Sequence, residues 1–299
     1  MSQEQDEFIL AKFEGWLVDR RLSSSTIVNY LADLRTFLRW GKAEVGSEFS
    51  LSGVNQEHIR LYRYHLTQQL QRASSTVNRH LMALRKFFVF AQETEVAPVN
   101  PTSGVALVQN DGQAVSRPLS NGDTEKMLKA AGNGSRAGLI RRDVAILQLM
   151  LHTGLRVSEI VELRQEDMMF DNPGLRLRVR NGQEDKIRYL PLCNEVCKSL
   201  NEYLDMRPKA AVTDHFFLNQ QGHAVSDRTV QRIISDSARA AGLEGISAQS
   251  LRRTFALQLL DETNDLELVS ERLGHQNSAI TAQYLAVHEN NDANKTIED

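Results

Sequence analysis

The chain has 299 residues, enough for two domains, and its 41% hydrophobic and 24% charged residues are the balance of a soluble globular protein. The net charge of −3 neither points to nucleic acid nor excludes it, because binding depends on where Lys and Arg cluster. The apolar runs fall far short of a membrane span and the polar start does not read as a secretory signal, so the expected location is the cytoplasm.

From Glu4 to about Glu95 the pattern is helical. Phe8, Leu10, Phe13, Trp16 and Leu17 recur at helical spacing, Ser23 to Ser25 interrupt, and Val28, Leu31, Leu34, Phe37 and Leu38 resume it. Asn55 predicts the cap of a third helix running to Leu70, and Ser74 or Ser75 the cap of a fourth carrying Val77, Leu81, Leu84, Phe87 and Phe88. Four amphipathic helices with short connections predict a bundle over residues 1–97. Pro98, Pro101 and Pro118 frame a polar segment with Gly104, Asn110, Asp111 and Gly112, which predicts a linker over 98–118.

Helical patterns resume at Ser120 and open a second domain, 119–287. Leu175 to Val179 and Ile187 to Leu192 are short and rich in Leu, Ile and Val, with Asn181-Gly182 between them. That arrangement predicts a β-hairpin. Cys193 and Cys197, one helical turn apart, read as two small buried side chains rather than a disulfide or a metal site. Helices continue to Val287. The tail, 288–299, has Glu289, Asp292, Glu298 and Asp299 against Lys295, an acidity that suits docking on another protein copy; a loosely ordered end is the other reading.

Three segments carry chemistry. They are Thr153-Gly154-Leu155-Arg156-Val157-Ser158-Glu159, then Leu251-Arg252-Arg253-Thr254-Phe255-Ala256, then Leu273-Gly274-His275 followed by Thr281 and Tyr284. Singly, each has an ordinary reading: a solvated arginine, a histidine closing a turn, a core tyrosine. Together they are what phosphodiester transfer needs without a metal. Arginine offers a permanently charged fork of donors matched to phosphate oxygens. Two of them offset charge growing in the transition state. Histidine donates a hydrogen bond or handles a proton, and tyrosine supplies a nucleophilic oxygen.

These boxes, in this order, resemble those of the tyrosine recombinase (phage integrase) family, particularly its bacterial Xer-like branch. The interval from His275 to Tyr284 fits, and Ser23 to Leu38 resembles a pattern of the family's core-binding domain. The resemblance implies a mainly α fold with a small β-hairpin or sheet in the C-terminal domain. The implied architecture is a two-domain C-clamp: an N-terminal four-helix core-binding domain and a mixed α/β catalytic domain. It implies that Arg156 and Arg252 clamp the scissile phosphate, that His275 joins them, and that Tyr284 forms a 3′-phosphotyrosyl link. It implies no cofactor, no metal and no ATP. It also implies double-stranded DNA as partner and a tetramer in the synaptic complex; a second recombinase or accessory protein stays open. Glu159 buttresses the site or forms a surface ion pair.

Two positions depart from the family pattern. Gln249 stands where a histidine usually precedes the second arginine, and an amide carries no proton. Gln183 stands where the hairpin lysine, the general acid for the leaving 5′ oxygen, is expected. Lys186 is the nearest substitute; it reads equally as the family's second, structural lysine or an exposed strand charge. A non-catalytic DNA-binding relative is therefore the alternative to an active recombinase, and the retained Arg156, Arg252, His275 and Tyr284 argue for the enzyme. A helical regulator, a type IB topoisomerase and a metal nuclease fit less well.

DNA affinity comes mostly from phosphate contacts. Candidates are Ser75, Thr76, Arg79, Arg85 and Lys86 on the fourth helix, with Ser24, Thr26 and Asn29 on the second. Arg228 and Arg232, in the helix opening at Ser226, complete the set. The DNA site, its crossover spacing and the genetic element served are not written in the chain.

Overall fold

Helical periodicity in the first third of the chain becomes four helices: α1 (Ser2–Asp19), α2 (Ser24–Glu44), α3 (Gln56–Tyr64) and α4 (Ser74–Glu93). The computed structural model describes residues 2–109, 116–133, 137–171, 174–180, 187–208, 211–275 and 277–286; within these, the side chains of 2–3, 137–138, 170–171, 174, 283–284 and 286 are not described. The chain divides into two units, Met1–Gln113 and Ala114–Asp299.

In the first unit, Ser23 caps α2 by accepting from the Thr26 amide at 3.2 Å, and Asn55 caps α3 by accepting from the His58 amide at 3.0 Å. The expected serine cap of α4 is corrected. Ala73 takes the cap position without a side-chain bond, and Ser74 and Ser75 already lie in the first turn. The Ala73 carbonyl accepts from the Thr76 and Val77 amides, so the backbone closes that turn one residue earlier. α3 runs on into a π-turn, His65–Gln69, that the apolar spacing did not signal. Phe13, Phe37, Tyr62, Phe87 and Phe88 are fully buried, with Phe87 edge-on to Phe13 at 5.4 Å. Burying each such side chain contributes about 1.5–3 kcal/mol. The first part of the proline-framed segment packs on this unit. Val105 is buried, Asn78 exchanges two hydrogen bonds with the Val108 backbone, and Arg85 donates to the Val105 carbonyl at 2.7 Å. Asn110, Asp111 and Gly112 lie outside the described residues.

The second unit begins with α5 (Asn121–Ala131), capped by Ser120, then α6 (Ala137–Thr153) and α7 (Val157–Glu162). A three-stranded antiparallel sheet follows in the order β1 (Met168–Asp171), β2 (Gly174–Arg180), β3 (Ile187–Pro191). The expected hairpin is β2–β3, with Arg180 opposite Ile187; its Asn181-Gly182 turn lies outside the described residues. β1 went unpredicted because its four residues give too short a run to separate from loop. Five helices complete the unit: α8 (Asn194–Met206), α9 (Asp227–Ala240), α10 (Ala248–Thr263), α11 (Leu266–Leu273) and α12 (Ser278–Ala286). The fold is mainly α with a small sheet. Its core gathers Leu147, Met150, Leu177, Val179, Leu200, Phe217, Ile234 and Leu251 around α6. The cysteine expectation is corrected: Cys193 occupies the cap position of α8, and both thiols are free and only half-buried. The part they bury raises both thiol pKa values, which keeps them protonated.

Candidate active site

The site is assembled from element ends. α6 stops at Gly154, whose φ of +63° suits glycine, and an added Cβ would lie 2.5 Å from Phe255 Cδ1. The chain then turns so that Arg156 stands at the N-terminus of α7 and the Gly154 carbonyl faces α10. Arg252, on α10 and only 5% exposed, donates to that carbonyl at 2.7 Å through Nη1 and to the Leu273 carbonyl at 2.6 Å through Nη2. Arg252 Nη2 also lies 3.1 Å from His275 Nε2. α11 ends at Gly274, whose left-handed φ of +66° turns the backbone so that the His275 amide bonds back to the Ser270 carbonyl. His275 Nδ1 meets Thr281 Oγ1 of α12 at 2.8 Å, and Thr281 is fully buried. Arg156 Nη2 makes a long 3.5 Å contact with the Gly274 carbonyl. Arg156, Arg252 and His275 therefore meet at one place. Tyr284 lies on α12 three residues after Thr281, next to Leu285, whose carbonyl accepts from Arg253 Nη2 at 3.3 Å. The Tyr284 side chain is not among those described.

Glu159 knits the wall of this site. It is buried and accepts from the Arg156 amide at 2.8 Å and from Arg156 Nη1 at 3.1 Å. Arg188 of β3 grips the same carboxylate through Nη1 at 2.8 Å and Nη2 at 2.9 Å, and donates Nε to the Arg272 carbonyl at 3.0 Å. Burial alone would raise the Glu159 pKa; the Arg188 hydrogen bonds and charge, with those of Arg156, outweigh it and hold the carboxyl below its usual range. Of the two readings of Glu159, the buried buttress is the one the geometry supports. His275 is lowered to about 4, first by burial and then by the charges of Arg252, Arg156 and Arg188. Nearby, buried Asp167 accepts from Arg178 Nε at 2.9 Å and Arg180 Nη2 at 3.0 Å, tying the first strand of the hairpin to the turn before β1.

Sequence reasoning missed Arg188. The signal was there in β3, where it alternates with exposed Ile187 and Tyr189 and so shares the inward face with Leu190. Gln249 is exposed in the first turn of α10, one turn before Arg252. Gln183 and Lys186 lie outside the described residues. Among the described residues no group of three or more His, Cys, Asp or Glu could hold a metal ion, and no helix is long and apolar enough to cross a membrane.

The suggested DNA contacts are dispersed. Ser75 is exposed and Thr76 half-buried in the first turn of α4. Arg79 is exposed but ion-paired at 2.9 Å with Asp33, itself 4% exposed. Arg85 is held by the Val105 carbonyl, and the Lys86 ammonium sits 5.1 Å from the centre of the Trp16 ring. Arg228 and Arg232 are exposed on α9.

Comparison with known proteins gives the family and the fold. The phage integrase family matches residues 117–291, and the phage integrase N-terminal SAM-like domain matches residues 10–95. The tyrosine recombinase XerC of Pelobacter propionicus is 30% identical over 270 residues, covering 90% of this chain and 87% of that protein. The tyrosine recombinase XerD of Lacticaseibacillus casei is 29% identical over 283 residues, covering 92% of each. Among solved structures, the XerH site-specific recombinase in a post-cleavage complex with a palindromic difH substrate superposes with a TM-score of 0.73 at 22% identity, covering 91% of this chain and 80% of that one. A lambda integrase dimer on a COC′ core site gives 0.71 at 16% identity, covering 93% and 94%. Matched in both halves, with its arginines and histidine gathered beside the helix that carries Tyr284, the chain belongs to the phage integrase family of tyrosine recombinases.

Proposed function

We propose that the protein is a site-specific DNA recombinase acting in integration, excision or resolution through a 3′-phosphotyrosyl intermediate. The observation that carries this is the convergence of Arg156, Arg252 and His275 beside α12, the helix of Tyr284. The Tyr284 hydroxyl gives up its proton to water as its oxygen attacks the scissile phosphorus; the phosphorus–tyrosine bond forms as the bond to the 5′ oxygen breaks. That oxygen leaves with a proton, from Lys186 or from water, and a 5′-hydroxyl of a partner strand reverses the step. Arg156, whose side chain is 40% exposed, presents its fork to the phosphate, while buried Arg252 supplies charge from behind and orients His275. Both units, 1–113 and 114–299, bind duplex DNA. Four protomers form the synapse, and the protein works in the cytoplasm; the tail, 288–299, lies outside the described residues.

The test is a nicked suicide DNA carrying the target site. Wild type is expected to trap a covalent adduct. Tyr284→Phe should bind the same DNA and form none, and an adduct from the Phe variant would refute the assignment. Arg156→Lys should slow cleavage by the equivalent of about 2.7–4 kcal/mol, the cost of losing one preorganised donor. The amide of Gln183 at the usual lysine position favours a second reading, a non-catalytic DNA-binding relative. A substrate with sulfur as the bridging 5′ atom separates the two, because its leaving group needs little protonation. If wild type binds tightly and specifically but cleaves neither substrate, the second reading holds.

A further inference from the structure

We infer that Arg188 is a positioning residue that keeps Arg156 open to the phosphate by occupying the carboxylate that would otherwise close on it. The inference rests on the recombinase reading of Arg156. Glu159 has two oxygens and two arginine suitors. Arg188 takes both oxygens, at 2.8 and 2.9 Å, in the fork-on-carboxylate geometry that is the strongest form of this pair. Arg156 is left with a single side-chain bond to Glu159 at 3.1 Å, and its side chain stays 40% exposed.

Arg188 is itself locked in place. It is 11% exposed, donates to the Arg272 carbonyl, and fills the space over Gly274, where an added Cβ would come within 2.9 Å of its Nη1. Removing it leaves Glu159 buried with one bond on each oxygen, from the Arg156 amide and from Arg156 Nη1, and without the second charge. The nearest fork is Arg156, and a buried carboxylate short of partners costs enough to draw it in. The anion site would then be shut by an internal ion pair. Through Arg188 the strand β3 also sets the availability of a phosphate ligand on α7, so the hairpin and the clamp act as one part.

The test compares Arg188→Ala, Arg188→Lys and the double variant Arg188→Ala/Glu159→Gln, using the full chain and the suicide DNA. Arg188→Ala should slow adduct formation about tenfold or more, the scale on which residues of one network couple, with DNA affinity little changed. Arg188→Lys, which keeps the charge without the fork, should fall between. The double variant should recover much of the lost rate, because glutamine still accepts from the Arg156 amide but no longer binds its guanidinium as an anion. A merely structural Arg188 would make the double variant no better than Arg188→Ala, and that result overturns the inference. Crystal structures of the variants give a readout independent of activity. Glu159 gripping Arg156 through both oxygens in Arg188→Ala supports the inference, and Glu159 left in place with Arg156 still open overturns it. If wild type forms no adduct, the recombinase reading fails, and the structural comparison still decides what Arg188 does to Arg156.

Discussion

His275 is neutral at physiological pH, and its partners fix its tautomer. A guanidinium has only donors, so Nε2 accepts from Arg252 and Nδ1 carries the proton toward Thr281 Oγ1. His80 of α4 is lowered to about 4 as well, by burial and then by Arg79 and Arg72; Asp33 Oδ1 at 3.4 Å pulls the other way but is already engaged by Arg79. Both histidines titrate near 6.5 when unfolded, so between pH 6.5 and 4 the unfolded chain binds more protons. The stability they contribute is complete above about pH 6.5 and is lost as pH falls toward 4. Urea midpoints should therefore drop between pH 7 and 5, and His275→Asn should remove about one proton from that dependence. An unchanged dependence would mean that His275 is not held neutral. Arg156, Arg252 and His275 were legible because phosphate chemistry demands those side-chain types in recognisable boxes. The inward face of Arg188 was legible in the alternation of β3, but its partners were not, because they lie 29 and 84 residues away and the contact exists only once β3 lies beside α7 and α11.

At the scale of elements, function is placed at helix ends. α6 stops where Gly154 turns, α7 starts at Arg156, α11 stops at Gly274 and α12 carries Tyr284. Of these joints, Gly274 is the one packed against Arg188. Its left-handed backbone costs any other residue about 1–2 kcal/mol, and an added Cβ would push the Arg188 guanidinium off Glu159. Gly274→Ala should therefore lower the melting temperature by a few degrees and cost more cleavage than stability. Thermal melts beside adduct assays check this; cleavage tracking stability alone would show that the joint only holds the fold. Helix positions were readable because the 3.6-residue period spans several turns in each. The α4 start was misplaced because Ser74 and Ser75 resemble caps whichever side of the boundary they fall, and β1 was missed because four residues carry no period to speak of.

At the scale of the molecule, the two units hold separate cores. The first is built around Phe13, Phe37 and Phe87, the second around Leu147, Leu177 and Phe217. Each has the apolar interior of an independent domain. Fragments 1–113 and 114–299 should each unfold cooperatively when made alone; a fragment without a cooperative transition would show that its core needs the other. The division was visible in the proline-framed change of composition, whereas the packing of Val105 and Val108 onto the first unit depends on Asn78 and Arg85 distant in sequence.

The surroundings of Trp16 have an optical consequence. The chain has two tryptophans, and Trp40 is buried in the first core. Trp16 instead has the Arg20 guanidinium 3.6 Å from its ring centre and the Lys86 ammonium at 5.1 Å, while its indole N–H donates to Glu93 at 2.8 Å. Indole emission responds to charge placed over the ring face. Any ligand that draws Lys86 away from the ring changes the light Trp16 emits, so the first unit carries a label-free gauge of whatever engages that ammonium.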